Sequence, residues 1–328
     1  MILLFTLLLV GHVFFDFYFQ TENMVKNKSF SINGLKAIFH HLIHAVSHGV
    51  ISFSLCFLFS FYFLDCTTAG YIELSTYFLL YITFFHFFID ATKECLSLFL
   101  KGFYSFVVFV IDQALHVSIL FFGMMYFFKE YNNYIYQVEL IKFLSAPMIV
   151  FCAALILLKP SSIVVSLFLK SSGINDGSES VKITKSQISQ VIYSIFSKKF
   201  SSDSIQDYDA EVQSYKDKAN KIISSISDGK ADIDVVNVSK INNAGRVVGY
   251  VERIIMLLFF IFGSVTAVVA VLAMKTALRF SDLKDDNDSG KAEYIMVGTF
   301  FSLLITVVIA FIARKYLVDL GAISASLN

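Results

Sequence analysis

The chain reads as an all-α integral membrane protein, a polytopic bundle of about seven transmembrane helices with a small, mainly helical cytoplasmic insert. Three observations predict this. Of its 328 residues 56% are hydrophobic and 37 are Phe, above the roughly 45–50% apolar share of soluble domains. The mean hydropathy is +0.69. Apolar runs of about 17–25 residues, long enough to cross a hydrocarbon core, recur along the chain, and one extended polar stretch, 171–245, interrupts them.

The first run, 2–19, lacks a basic leading segment and a small-x-small cleavage site, so it reads as a retained span rather than a signal peptide. Further spans are expected at 38–64, 71–90, 104–127 and 141–159. The fifth has Lys142 and Pro147 near its start, and Pro160 marks a break before an interfacial extension over Ile163–Leu169. In the polar stretch, Thr184-x-x-Gln187 is a capping box. Ile188, Val191, Ile192, Ile195 and Phe196 then form an apolar stripe. A second helix is expected over Asp209–Ser227, ended by Asp228-Gly229, and a short strand over Asp232–Val238. The last two spans fall at 254–274 and 294–313. The domains expected are an N-terminal bundle over 1–169, the insert over 170–245 and a C-terminal two-helix module over 246–328.

Net charge is zero and Trp is absent, so Tyr and Phe must supply any interfacial belt. The lysines of the insert are matched by Asp and Glu, which argues against nucleic acid and for docking of a cytosolic protein partner. Cys56, Cys66, Cys95 and Cys152 have no metal-ligand spacing, so neither a Cys-based zinc site nor a disulfide framework is expected. Lys26, Lys28, Lys36, Lys93 and Lys101 crowd alternate loops, which puts the N-terminus outside and the insert in the cytoplasm. Lys275, Arg279, Lys284 and Lys291 run against that alternation, and Arg314 and Lys315 restore it.

Four successive apolar segments each carry a pair of ionisable residues four apart: His12/Asp16, His40/His44, His86/Asp90 and Asp112/His116. On a helix that spacing puts both side chains on one face. Ionisable groups inside membrane helices usually face a bundle interior. The topology sets all four pairs at one depth near the cytoplasmic side. Imidazole and carboxylate are ligands for zinc or manganese, and eight groups exceed the four of one tetrahedral zinc. His48 is one turn beyond His44 and is a further candidate, whereas His41 is expected to face elsewhere. Asp16, Asp90 and Asp112 are the acid–base candidates. Gln20, Lys93 and Gln113, beside the pairs, are the candidate substrate contacts.

His12-x-x-x-Asp16-x-x-x-Gln20-Thr21, His40-x-x-x-His44-Ala45, His86-x-x-x-Asp90-x-x-Lys93 and Asp112-Gln113-x-x-His116 resemble the bacterial membrane proteins called domain of unknown function 3307. The likeness continues in Asn243-Ala244-Gly245-Arg246-x-x-Gly249-x-x-Glu252-Arg253, Lys275-x-x-x-Arg279-Phe280 and Ala292-Glu293-Tyr294-x-x-x-Gly298-Thr299. It implies a bacterial inner-membrane protein and no particular activity. His86-x-x-x-Asp90 is also similar to the S-H-x-x-L-D element of membrane-bound metal-dependent hydrolases, with Thr83 and Phe85 departing from it. The expected function is a metal-dependent hydrolase acting on a lipid or other amphipathic substrate. The alternatives are a metal-ion or proton-coupled transporter, and a sensor signalling through the insert. A homo-oligomer fits any of them.

Overall fold

The computed structural model describes residues 1–30, 34–65, 67–100, 102–172, 238–283 and 289–324. The capping box at Thr184 and Gln187 and the helix expected over Asp209–Ser227 lie outside the described residues. So does the expected strand, except for Val238, which opens a helix.

Helix α1 (Ile2–Val13) continues as a π-helical turn over Phe14–Phe19. The short α2 (Glu22–Asn27) leads to α3 (Gly34–Phe63), α4 (Thr68–Phe99) and α5 (Phe103–Phe128). Then come α6 (Val138–Leu157), α7 (Lys159–Ser171), α8 (Val238–Ile261), α9 (Val265–Leu283) and α10 (Ser289–Asp319). The long helices form because their apolar runs contain a single proline, Pro147, which α6 absorbs. Thr67 caps α4 by accepting from the Gly70 amide at 3.2 Å. Gly102, at φ +62°, supplies the left-handed step between α4 and α5. Pro160 lies in the first turn of α7, where its missing N–H costs nothing.

Among the described residues, six segments are long and apolar enough to cross a membrane: Ile2–Phe19, Gly34–Phe63, Thr68–Phe99, Phe103–Phe128, Val138–Ser171 and Tyr294–Asp319. The run expected to span over 254–274 is instead two helices. Gly263, at φ +79°, ends α8. The Gly263 amide donates to the Phe260 carbonyl at 3.1 Å and the Ser264 amide to Phe259 at 2.9 Å, which satisfies the last carbonyls of α8. The apolar part of α9, Val265–Met274, is too short to span alone.

Helix α1 packs on α3, α5 and α6, and α3 pairs with α4, which pairs with α5. Gly49 and Gly123 permit the closest approaches. A Cβ on Gly49 would collide with Thr83 and lie 3.0 Å from the Leu79 carbonyl, and one on Gly123 would meet the Tyr81 ring at 2.5 Å. Leu4, Phe59, Phe78, Ile82, Leu120 and Phe128 fill the half of this bundle toward the α3–α4 loop. That loop is tied to the α5–α6 loop, with the Asp65 amide donating to Tyr134 at 3.0 Å and the Tyr136 amide to Phe63 at 3.1 Å. Outward, Val50, Leu80, Phe84, Phe88, Phe122 and Tyr126 are exposed, the apolar surface a lipid-facing bundle requires.

A second layer joins α6, α8 and α10 through Ile149, Ala153, Leu157, Leu257, Ala310 and Ala313. Arg253 is 5% exposed and crosses from α8 to the start of α7. It donates to Ser161 Oγ, to Ser162 Oγ at 2.7 Å and to the Gly249 carbonyl at 2.9 Å. Arg314 on α10 donates to the terminal carbonyls of α8, Ile261 at 2.5 Å and Phe260 at 3.2 Å, the favourable place for a cation.

Candidate metal centre

The His/Asp residues gather where the C-terminal parts of α1 and α4 meet the N-terminal parts of α3 and α5. A rise of about 1.5 Å per residue puts them within ~5–20 Å of those helix ends. The apolar side chains of the bundle close the opposite side.

Two carboxylates sit among six imidazoles. Asp16 Oδ1 lies 2.9 Å from His48 Nε2, 3.1 Å from His44 Nε2 and 3.9 Å from His86 Nε2. Its Oδ2 is 3.5 Å from His12 Nε2. Asp90 Oδ2 is 3.7 Å from His44 Nε2 and 3.8 Å from His86 Nε2, and Oδ1 is 3.7 Å from His116 Nε2. The rings are in mutual contact, with centroids 3.9 Å apart for His48 and His86 and 4.2 Å for His86 and His116. Among the described residues, three donor sets have ligand atoms within 4.8 Å of one another: Asp16/His44/His48/His86, His12/Asp16/His116 and His86/Asp90/His116.

Despite this proximity, Nε2 of His12, His48, His86 and His116 makes no hydrogen bond among the described residues. All four side chains are buried. Burying unsatisfied polar atoms is costly, so four such nitrogens converging on two carboxylates have the character of a ligand set. The other nitrogen of His116, Nδ1, lies 2.9 Å from the Asp112 carbonyl. Donation of Nδ1–H to that carbonyl leaves the Nε2 lone pair free for a cation, as is usual for metal-bound histidine.

Lysines frame the carboxylates. Lys28 Nζ is 2.9 Å from Asp90 Oδ2, and Lys93 Nζ is 3.0 Å from Asp112 Oδ2 and 3.7 Å from Asp90 Oδ1. Gln20, with its amide oxygen toward Lys28 at 2.8 Å, donates to the Asp16 carbonyl at 3.1 Å. Gln113 donates to Asp112 Oδ2 at 3.0 Å and reaches Asp16 Oδ2 at 3.5 Å. Asp16 is the carboxylate of this group without a lysine partner among the described residues.

The structure thus brings together His12, Asp16, His44, His86, Asp90 and His116, and departs from the sequence expectation at three positions. His40 stays outside, half-buried against Phe39. The packed face of α3 runs through Ala37, His41, His44, Ala45, His48 and Ser52, a register one residue on from His40. His41, expected to face elsewhere, is 2% exposed, bonds the Lys28 carbonyl at 3.1 Å and places Nδ1 3.9 Å from Asp90. Asp112 belongs to none of the three donor sets, because Lys93 and Gln113 hold its carboxylate behind His116. Lys28, a loop residue with no periodic signal, joins the site unforeseen. So does the π-helical turn that carries Asp16, a feature frequent at functional sites.

The chain was also compared with known proteins. Residues 4–144 match the family model described as protein of unknown function (DUF3307), which is less than half of the chain and ends before the C-terminal motifs over 243–299. No curated protein and no solved structure matches it. The matched residues include every member of the His/Asp cluster, so the site-bearing bundle, residues 4–144, belongs to the DUF3307 family.

Proposed function

We propose that the protein is a membrane-embedded, metal-dependent hydrolase that acts on a lipid or other amphipathic substrate. The observation that carries this reading is the set of four buried imidazole Nε2 atoms without hydrogen bonds, aimed at Asp16 and Asp90. Charge supports it. Asp16, Asp90 and Asp112 face two ammonium groups, Lys28 and Lys93, and with neutral imidazoles this leaves a buried negative charge that a divalent cation, zinc or manganese, offsets. A bound cation of this kind lowers the pKa of a water ligand and so supplies a nucleophile for hydrolysis.

Lys28 holds the Asp90 carboxylate toward the imidazoles. Lys93, whose side chain is 32% exposed, and Gln113 stand at the margin of the cluster, placed to meet a polar head group. The buried side chains that close the far side of the α1, α3, α4 and α5 bundle carry no acidic or basic group among the described residues; the polar ones there, such as Thr6, Ser60 and Ser75, bear only hydroxyls, and the buried Arg314 belongs to the second layer, held on α8. A closed far side favours catalysis over a path through the membrane.

The lysines of the loops at the site end support an orientation with that end in the cytoplasmic leaflet of a bacterial inner membrane and residues 170–245 serving a cytosolic protein partner. The purified chain should hydrolyse an ester- or phosphoester-bearing amphiphile in mixed micelles, lose that activity on chelation and regain it with zinc or manganese. A full panel of such substrates left intact by metal-loaded protein, with metal flux appearing in liposomes, would overturn the hydrolase reading.

A further inference from the structure

We propose that the cluster is a dinuclear centre in which Asp16 and Asp90 each bridge two divalent cations. This rests on the metal reading above and adds the number of ions and the division of the ligands. The imidazoles fall into two groups on opposite oxygens of the same carboxylates. Asp16 Oδ1 faces His44 and His48 at 3.1 and 2.9 Å, whereas its Oδ2 faces His12 at 3.5 Å. Asp90 repeats the division, with Oδ2 toward His44 and His86 at 3.7 and 3.8 Å and Oδ1 toward His116 at 3.7 Å.

One cation therefore takes His44, His48 and His86, and the second takes His12 and His116. Each carboxylate gives one oxygen to either ion. Five imidazoles and four carboxylate oxygens are too many for a single tetrahedral ion, which takes four ligands. Divided between two ions, they give five protein ligands to the first and four to the His12/His116 ion, which in octahedral coordination keeps more positions open for a water or substrate anion. Such pairs normally stand about 3.5–4 Å apart and clamp both oxygens of a displacement between them. The Lys28 contact to Asp90 Oδ2 is compatible with bridging, since a carboxylate oxygen has a second lone pair. Donation from His116 Nδ1 to the Asp112 carbonyl fixes the ligand of the second ion in the same way.

The test uses the full chain purified in detergent, loaded with Mn²⁺, freed of loose metal by gel filtration, and analysed for metal per chain and by electron paramagnetic resonance. Two Mn²⁺ per chain with an exchange-coupled spectrum are expected. The double variant His12→Ala/His116→Ala should fall to one Mn²⁺ per chain with the six-line signal of an isolated ion. One ion per chain in the wild type, unchanged in that variant, would overturn the dinuclear assignment while leaving a mononuclear metal site standing. No bound metal in the folded wild type would overturn both. Because the wild-type stoichiometry decides the question, a variant that fails to fold does not blur the result.

Discussion

At the level of single residues, the histidines of α3 separate roles that spacing could not. His40, His44 and His48 follow one another at intervals of four, as well as any helix could ask. The side chains that meet the other helices are instead His41, His44 and His48. His48→Ala is therefore expected to weaken metal binding at least tenfold, and His40→Ala to leave it unchanged, as read by competition with a chromophoric chelator. The signal for the correct register was present: Ala37, Ala45, Gly49 and Ser52, small enough for close packing, share a stripe with His41 and His48. Lys28 had no such signal, since it lies in a loop and meets Asp90 through tertiary contact alone. Lys28→Met leaves a buried carboxylate without its nearest ammonium. It should cost about 3–5 kcal/mol by the usual penalty for breaking a buried pair, measured as loss of stability in detergent unfolding.

Helices were legible where a long apolar run also ended in a recognisable stop. Histidine and aspartate at i, i+4 in α1, α4 and α5 could be placed on inward faces because little else in those runs is ionisable. The break between α8 and α9 was also written in the sequence, as Gly263-Ser264, but the surrounding hydrophobicity masked it. Two substitutions probe the packing of these elements. Gly49→Val pushes a branched side chain against Thr83 and the Leu79 carbonyl, so α3 and α4 must separate. A loss of about 1–3 kcal/mol is expected from overpacking, together with weaker metal binding, because His48 and His86 ride on the two helices being forced apart. Arg253→Ala removes the hydrogen bonds that tie α8 to Ser161 and Ser162 on α7. It should cost about 1.5–3 kcal/mol, the worth of hydrogen bonds to a charged group. Metal content should stay intact, since Arg253 lies outside the cluster.

The whole molecule gives the conflicting charges of the last loop a physical explanation. Arg253 on α8 meets Ser161 and Ser162, and Gly298 and Phe301 on α10 meet Leu169 and Phe168. Phe301 also meets Phe106, near the start of α5. Both ends of the stretch from α8 to α10 thus lie at the site end of the bundle. On the orientation proposed above, a chain that enters α10 from the site end has the residues leading into α10 on the cytoplasmic side, so the expected conflict with the charge rule falls away. In a cysteine-free background, Asp286→Cys and Ser225→Cys should be labelled from the same face of the membrane, and Thr67→Cys from the other. Labelling of Asp286→Cys together with Thr67→Cys would mean that 254–274 crosses after all.

The assignment of the His/Asp cluster as a metal centre is tested most directly by X-ray absorption at the zinc edge on purified, zinc-exposed protein. It predicts tightly bound zinc with nitrogen and oxygen neighbours at about 2.0–2.1 Å and an imidazole signature, lost in His86→Ala/Asp90→Ala. Folded wild-type protein that retains no zinc, or zinc whose signature is unchanged in that double variant, would contradict it.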